Sequence, residues 1–211
     1  MRYFICGIFL TCALAAVSAA APKPAVIPES ADWTVDVSFE NPQQLSLSLP
    51  DGAAAKRFWY VIITITNNTG RDIDFYPKCE LMTDTLQVIP AGSGTPDAVF
   101  ENIKTSFSGK YPFLESLEKS GNRILQGRDN AKDIAIIWPD FDPKTSCIDI
   151  FITGLSSETA AVDHPVEKDQ SGKPVKVYLR KTLQLTYTLT GDANLRSGET
   201  LSFKSKNWVM R

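Results

Sequence analysis

Along most of the chain apolar and polar side chains alternate with a period of two, the signature of a strand with one buried face. Trp33, Val35, Val37 and Phe39 alternate with Thr34, Asp36 and Ser38, and Leu45, Leu47 and Leu49 alternate with serines before Pro50 and Gly52 mark a turn. Residues 58–66, FWYVIITIT, break that rhythm. The run is continuously aromatic and β-branched and too short to cross a membrane, so it predicts a central strand covered on both faces. The Asn- and Gly-containing turn at 67–70 follows, and residues 72–76 are expected to return beside it as a hairpin. CELMT and LQVIP add two short strand candidates, and KDIAIIW (132–138) and CIDIFIT (147–153) add two more.

The period changes only between about residues 95 and 120. Thr95 is placed to cap a helix with Pro96 in its first position, and Val99, Phe100, Ile103 and Phe107 fall on one helical face. A second short helix is expected over 112–120, with Leu114 and Leu117 inward, Glu115 paired with Lys119, and Gly121 as its stop. About thirty residues cannot bury a core of their own, so this is an insertion between strands.

Residues 156–174 are polar, with Pro165, Gly172 and Pro174, and predict a long surface loop. The clearest alternation comes next. Val175, Val177, Leu179, Leu183, Leu185, Tyr187 and Leu189 share one face; Lys176, Tyr178, Arg180 and a row of threonines share the other. Lys181 intrudes on the apolar face, which points to a bulge or a change of sheet there. After a loop at 191–199, TLSFKSKNWVM supplies a last strand. About nine or ten short strands with one helical interruption predict an all-β fold, an antiparallel two-sheet sandwich, with a barrel as the runner-up.

The first twenty residues change the compartment. MRYFICGIFLTCALAAVSAA has one charge, Arg2, then an apolar run and a small-residue tail, which is a secretory signal peptide over 1–20. Residues 21–31, rich in Pro and Ala, form an extended tether, and 32–211 form a single domain. The expected location is secreted or periplasmic, with no membrane span once the leader is removed. Cys6 and Cys12 leave with the leader, so Cys79 and Cys147 remain in an oxidising compartment. They pair as a disulfide or stay as buried thiols; spacing alone leaves both open.

The stretch FWYVIITITNNTGRDIDFYPKCELMTD, followed by ILQGRDNAKDIAIIWP and DIFITGL, resembles the immunoglobulin-like sandwiches of small secreted bacterial proteins. In those domains a hydrophobic strand ends in an Asn-rich turn, a second strand follows, and a later Gly turn enters another sheet strand. The resemblance covers about residues 58–189 and implies an immunoglobulin-like fold without a shared catalytic motif, so no functional residue is carried over.

Composition and residue chemistry narrow the function classes. With 22 Lys and Arg against 24 Asp and Glu the net charge is −2, which lacks the basic footprint of nucleic-acid binding. His164 is the only histidine, so a serine triad or a two-histidine metal site has too few parts. Asp140 and Asp142, flanking Phe141, are the nearest approach to a carboxylate pair, but Asp and Pro in such a segment also simply make turns. Glycine-rich phosphate loops are absent from the sequence, and no cofactor is expected. Four tryptophans raise a carbohydrate-binding reading; Trp33, Trp59 and Trp138 sit in strand patterns and Trp208 is the one near the chain end. Lys176, Tyr178 and Arg180 share a solvent face and, with Trp208, are the candidate surface contacts. The expectation is a non-enzymatic interaction or accessory domain whose partner is a protein or glycan of the cell envelope. A carbohydrate-binding module is the alternative, and a carboxylate-dependent hydrolase comes third.

Overall fold

The computed structural model describes residues 32–48, 54–189 and 201–211. The expected leader and tether, the turn at Pro50 and Gly52, and the loop at 191–199 lie outside the described residues. In chain order the elements are β1 Asp36–Phe39, β2 Gln43–Leu47, β3 Lys56–Asn67, β4 Ile73–Asp74, β5 Lys78–Thr83, β6 Val88–Pro90, α1 Asp97–Phe107, β7 Glu115–Ser116, β8 Arg123–Ile124, β9 Gly127–Pro139, β10 Cys147–Thr153, β11 Thr159–Lys168, β12 Pro174–Leu189 and β13 Leu201–Met210.

They build the expected all-β sandwich with one short helix. In the first sheet β3 pairs with β9 on one side and with β1 and β2, laid end to end, on the other; β7 adds to β9 in parallel. In the second sheet β12 pairs with β13 on one side and β10 on the other, and β5 and β6 continue beyond β10. Trp59, Val61, Ile63 and Ile65 of β3 and Ile134, Ile136 and Trp138 of β9 face Ile148, Ile150, Ile152, Leu183 and Leu185 across the gap. The opposite face of β3 holds Phe58, Tyr60 and Ile62, which pack with Ala135 and Ile137 against Val99, Phe100 and Ile103 of α1. Burial of β3 on both faces explains why its sequence does not alternate.

Four local expectations need correction. The chain does not turn at Asn67 into a hairpin with β3; β4 pairs with β8 instead. At that end both edges of β3 are already taken, by Asp36 opposite Thr66 and by Gly127 opposite Asn67. The buried Asn67 side chain fixes the exit, accepting from the Thr69 N–H and donating to the Arg71 and Ile124 carbonyls. The helix starts one residue later than expected, because Pro96 has ψ 146° and stands outside it, leaving the Thr95 hydroxyl without a partner among the described residues. Residues 112–120 form β7 and a single 3₁₀ turn, Leu117–Lys119, not a second helix. Glu115 pairs with Lys132 of β9 and Lys119 with Asp97, so these charges tie the segment to its neighbours rather than to each other.

The fourth correction is the largest. Most of the expected loop at 156–174 is β11, which runs antiparallel to the N-terminal half of β12 and leaves only Asp169–Lys173 as a turn, closed by the Asp169 carboxylate accepting from Ser171 and Lys173. β11 continues β10 along the same side of β12, so residues 159–180 form a hairpin that extends the second sheet. Val175, Val177 and Leu179 are only half buried there, and β11 itself is exposed or half buried over nearly all its length, so its composition carries no buried stripe to read. The two collinear strands are joined at Gly154, where φ is +85° and an added Cβ would stand 2.7 Å from the Tyr76 carbonyl oxygen. No helix among the described residues is long and apolar enough to cross a membrane.

Candidate functional site

Lys176, Tyr178 and Arg180 lie together on the outer face of the hairpin. Tyr178 is 63% exposed, Lys176 pairs with Asp163 at 2.6 Å, and the Arg180 backbone exchanges hydrogen bonds with Arg211 at the end of β13. Trp208 is elsewhere. It stands opposite Leu183 on the inner face of β13, half buried against the core, with the Lys181 ammonium 5.3 Å from its ring centroid.

The other candidates are held in structural roles. Asp140 accepts from the Trp59 indole at 2.8 Å and pairs with Arg57, while Asp142 accepts from the Lys144 N–H and closes its own turn. His164 Nδ1 accepts from the Glu167 N–H at 2.7 Å. Cys79 and Cys147 are both free thiols. The disulfide is excluded by register, because Cys79 stands opposite Ile152 at one end of β10 and Cys147 begins the other end. Five residues of strand separate them by roughly 17 Å, far beyond disulfide reach. Burial raises both thiol pKa values, that of the enclosed Cys79 most.

A cleft opens at the mouth of the sandwich, where β1 and β13, the edge strands of the two sheets, lie side by side. Trp33–Val35 first bonds the β10–β11 junction: the Val35 N–H donates to the Leu155 carbonyl and the Ser157 N–H to that of Trp33. The chain then crosses to the first sheet as β1. Its Glu40 N–H donates to Ile62, so by antiparallel alternation Asp36 and Ser38 turn their backbone groups to β3, whereas Val37 and Phe39 turn theirs away. The Val37 carbonyl accepts the Lys206 ammonium of β13 at 2.9 Å. The same ammonium stands 5.5 Å from the Phe39 ring, which contacts Phe203 at 5.6 Å between centroids. The Val37 N–H has no partner among the described residues.

A cleft of about 610 Å³ wraps this edge. Lys206 and Trp208 form one wall; Asp36, Ser38, Thr64, Thr66, Asn68 and Arg128 form a polar floor on the outer face of the first sheet. On β3 that outer face changes from Phe58, Tyr60 and Ile62 under α1 to Thr64 and Thr66 beyond it, so the threonines mark where the helix cover ends. Asp36 is the one carboxylate in the lining and accepts from Asn68 at 2.6 Å. Neither Arg128 nor Lys206 has a carboxylate partner among the described residues, and the cleft therefore presents an excess of positive charge.

Behind the cleft, Lys181 explains its own place on an apolar face. Its ammonium pairs with Glu158 at 2.5 Å and reaches Thr34, whose hydroxyl also meets Ser156. That hydrogen bond from Lys181 holds the Glu158 pKa below the usual glutamate value. β12 runs through this point without a bulge and exchanges partners instead, from β11 to β10 and β13; the register shift lies further on and in β13, where Lys204 is the extra residue opposite Thr186 and Tyr187.

Trp208 is the only cleft residue that reading the sequence singles out as a contact. Two signals mark the others: the switch from aromatic to threonine on one face of β3, and a lysine at position 206, two residues before Trp208 and so on its face. Comparison with protein-family models, with curated proteins and with solved structures finds no match to this chain.

Proposed function

We propose that the protein is a secreted, non-enzymatic, immunoglobulin-like interaction module of the cell envelope, and that its ligand surface is the cleft between β1 and β13. The observation that carries this reading is the outward-turned backbone of Val37, whose N–H has no partner among the described residues and whose carbonyl is held by a side chain alone, beside the cations Arg128 and Lys206. An edge of this kind gives backbone hydrogen bonds to a partner, and the flanking charges give selectivity. The structural engagement of Asp140, Asp142 and His164 supports binding over hydrolysis.

The test is recovery of envelope components on the immobilised protein, compared with the Arg128→Glu, Lys206→Glu double variant. The wild type should retain a component that the double variant releases. Identical recoveries from both, with the fold intact by circular dichroism, would remove the cleft from the reading. Export is tested by intact mass: the mature chain should begin at Ala20 or Ala21, and an uncut chain from the cytosol would contradict secretion.

A further inference from the structure

We infer that the cleft takes an extended acidic peptide segment of a partner protein, added as a strand along the free edge of β1. The inference rests on the binding-module reading and specifies the partner's chemistry. An incoming strand finds a donor and an acceptor at Val37, both turned away from β3. The acceptor is occupied by Lys206, a flexible side chain on the neighbouring sheet that can withdraw without disturbing any ladder. β1 offers about 14 Å of edge at ~3.4 Å per residue, room for a short strand and not for a folded surface. Lys206 and Arg128 flank the edge. Once displaced from the Val37 carbonyl, the Lys206 ammonium is free to pair with a carboxylate on the added strand.

The same charges argue against a second copy of this chain as the occupant. Two β1 edges brought together would bring both Lys206 side chains together, and edge lysines are an ordinary guard against self-pairing. An acidic strand meets one carboxylate, Asp36, which is already held by Asn68, against the two cations Arg128 and Lys206.

The experiment uses the mature protein, labelled with ¹⁵N, and capped peptides that alternate Val with either Glu or Lys. The Glu peptide should bind saturably, shift the Val37 and Phe39 amides and slow their exchange. The Lys peptide, the Glu peptide N-methylated at alternate residues, and the Lys206→Glu variant should each bind about tenfold more weakly or less. The Lys206 side chain is exposed, and circular dichroism of the variant checks that the sandwich stays folded. Equal affinity for Glu and Lys peptides, indifference to N-methylation, or shifts confined to the hairpin would overturn strand addition. So would a dimer that protects Val37 without peptide, or an anionic polysaccharide that occupies the cleft while the peptide does not. These results leave the cleft as the module's ligand surface as long as the envelope component still separates wild type from the double variant; the cleft leaves that reading only if the separation is lost.

Discussion

β12 passes through two environments under one sequence pattern. From Leu183 to Leu189 its alternate residues are sealed between the sheets, with Leu183, Leu185 and Tyr187 fully buried. From Val175 to Leu179 the same alternation continues, but Val175, Val177 and Leu179 are only half buried, because the first sheet does not extend over the hairpin. A period of two therefore reports which side chains share a face and says nothing about what lies opposite that face. Lys181 stands at the boundary, and the chemistry changes there as well: its ion pair with Glu158 closes the sandwich where apolar cover runs out.

The comparison is broken most directly by truncating one residue from each half. Leu185→Ala removes a fully buried side chain and should cost about 2–5 kcal/mol in urea unfolding. Val177→Ala should cost under about 1 kcal/mol, since part of its surface is wet in the folded state. Comparable losses from the two substitutions would mean that the hairpin's inner face is covered in solution, and the contrast between the halves would fail.

Much of this architecture is legible in the sequence, and the parts that are not share a physical cause. Long or doubly buried strands announce themselves: β3 by an unbroken apolar run, β10 by CIDIFIT, β12 by its alternation. β11 has the sequence of a loop because it pairs with the part of β12 that lies outside the core, so hydrogen bonding rather than burial decides its conformation. Likewise 112–120 has the apolar spacing of a helix, but Ser116 and Glu115 lie opposite Ala135 and Ile134 of β9, and that edge captured the segment. The cleft was invisible for a related reason. It depends on β1 and β13 meeting across the sandwich, far apart in sequence, and only Trp208 stands out in the sequence on its own.

The boundary itself gives the second prediction, with an intermediate effect. Lys181→Met keeps the apolar stem over Trp208 and removes the charge, leaving Glu158 partly enclosed without its cation. At neutral pH the loss should be about 1 kcal/mol, since the pair is partly wet and screened. The folded-state pKa of Glu158 lies below its unfolded value, so the stabilisation is complete above the unfolded value and disappears as pH falls through the folded one. The gap between wild type and variant should accordingly narrow in acid. A gap that stays constant from neutral pH down to below the usual carboxylate range would show that Lys181 acts through packing and not through its charge.

The smallest expected effect concerns the sandwich half alone, and it is a null. Cys79 and Cys147 sit toward opposite ends of the ladder between β5 and β10, so a bond between them would require several residues of register slip, which would turn ladder partners away from each other along the strand. The sealed half gains nothing from such a crosslink, because its apolar faces already close it. Adding a reductant to the mature protein should therefore leave its melting temperature unchanged, and the unreduced protein should yield both thiols to a thiol reagent once denatured. In the native state Cys79 should react far more slowly than Cys147, being enclosed and less readily ionised. A drop in melting temperature on reduction, together with the absence of titratable thiol in the unreduced denatured chain, would mean that β5 and β10 pair in a different register, and the distinction between a sealed and an open half of β12 would have to be redrawn from that register.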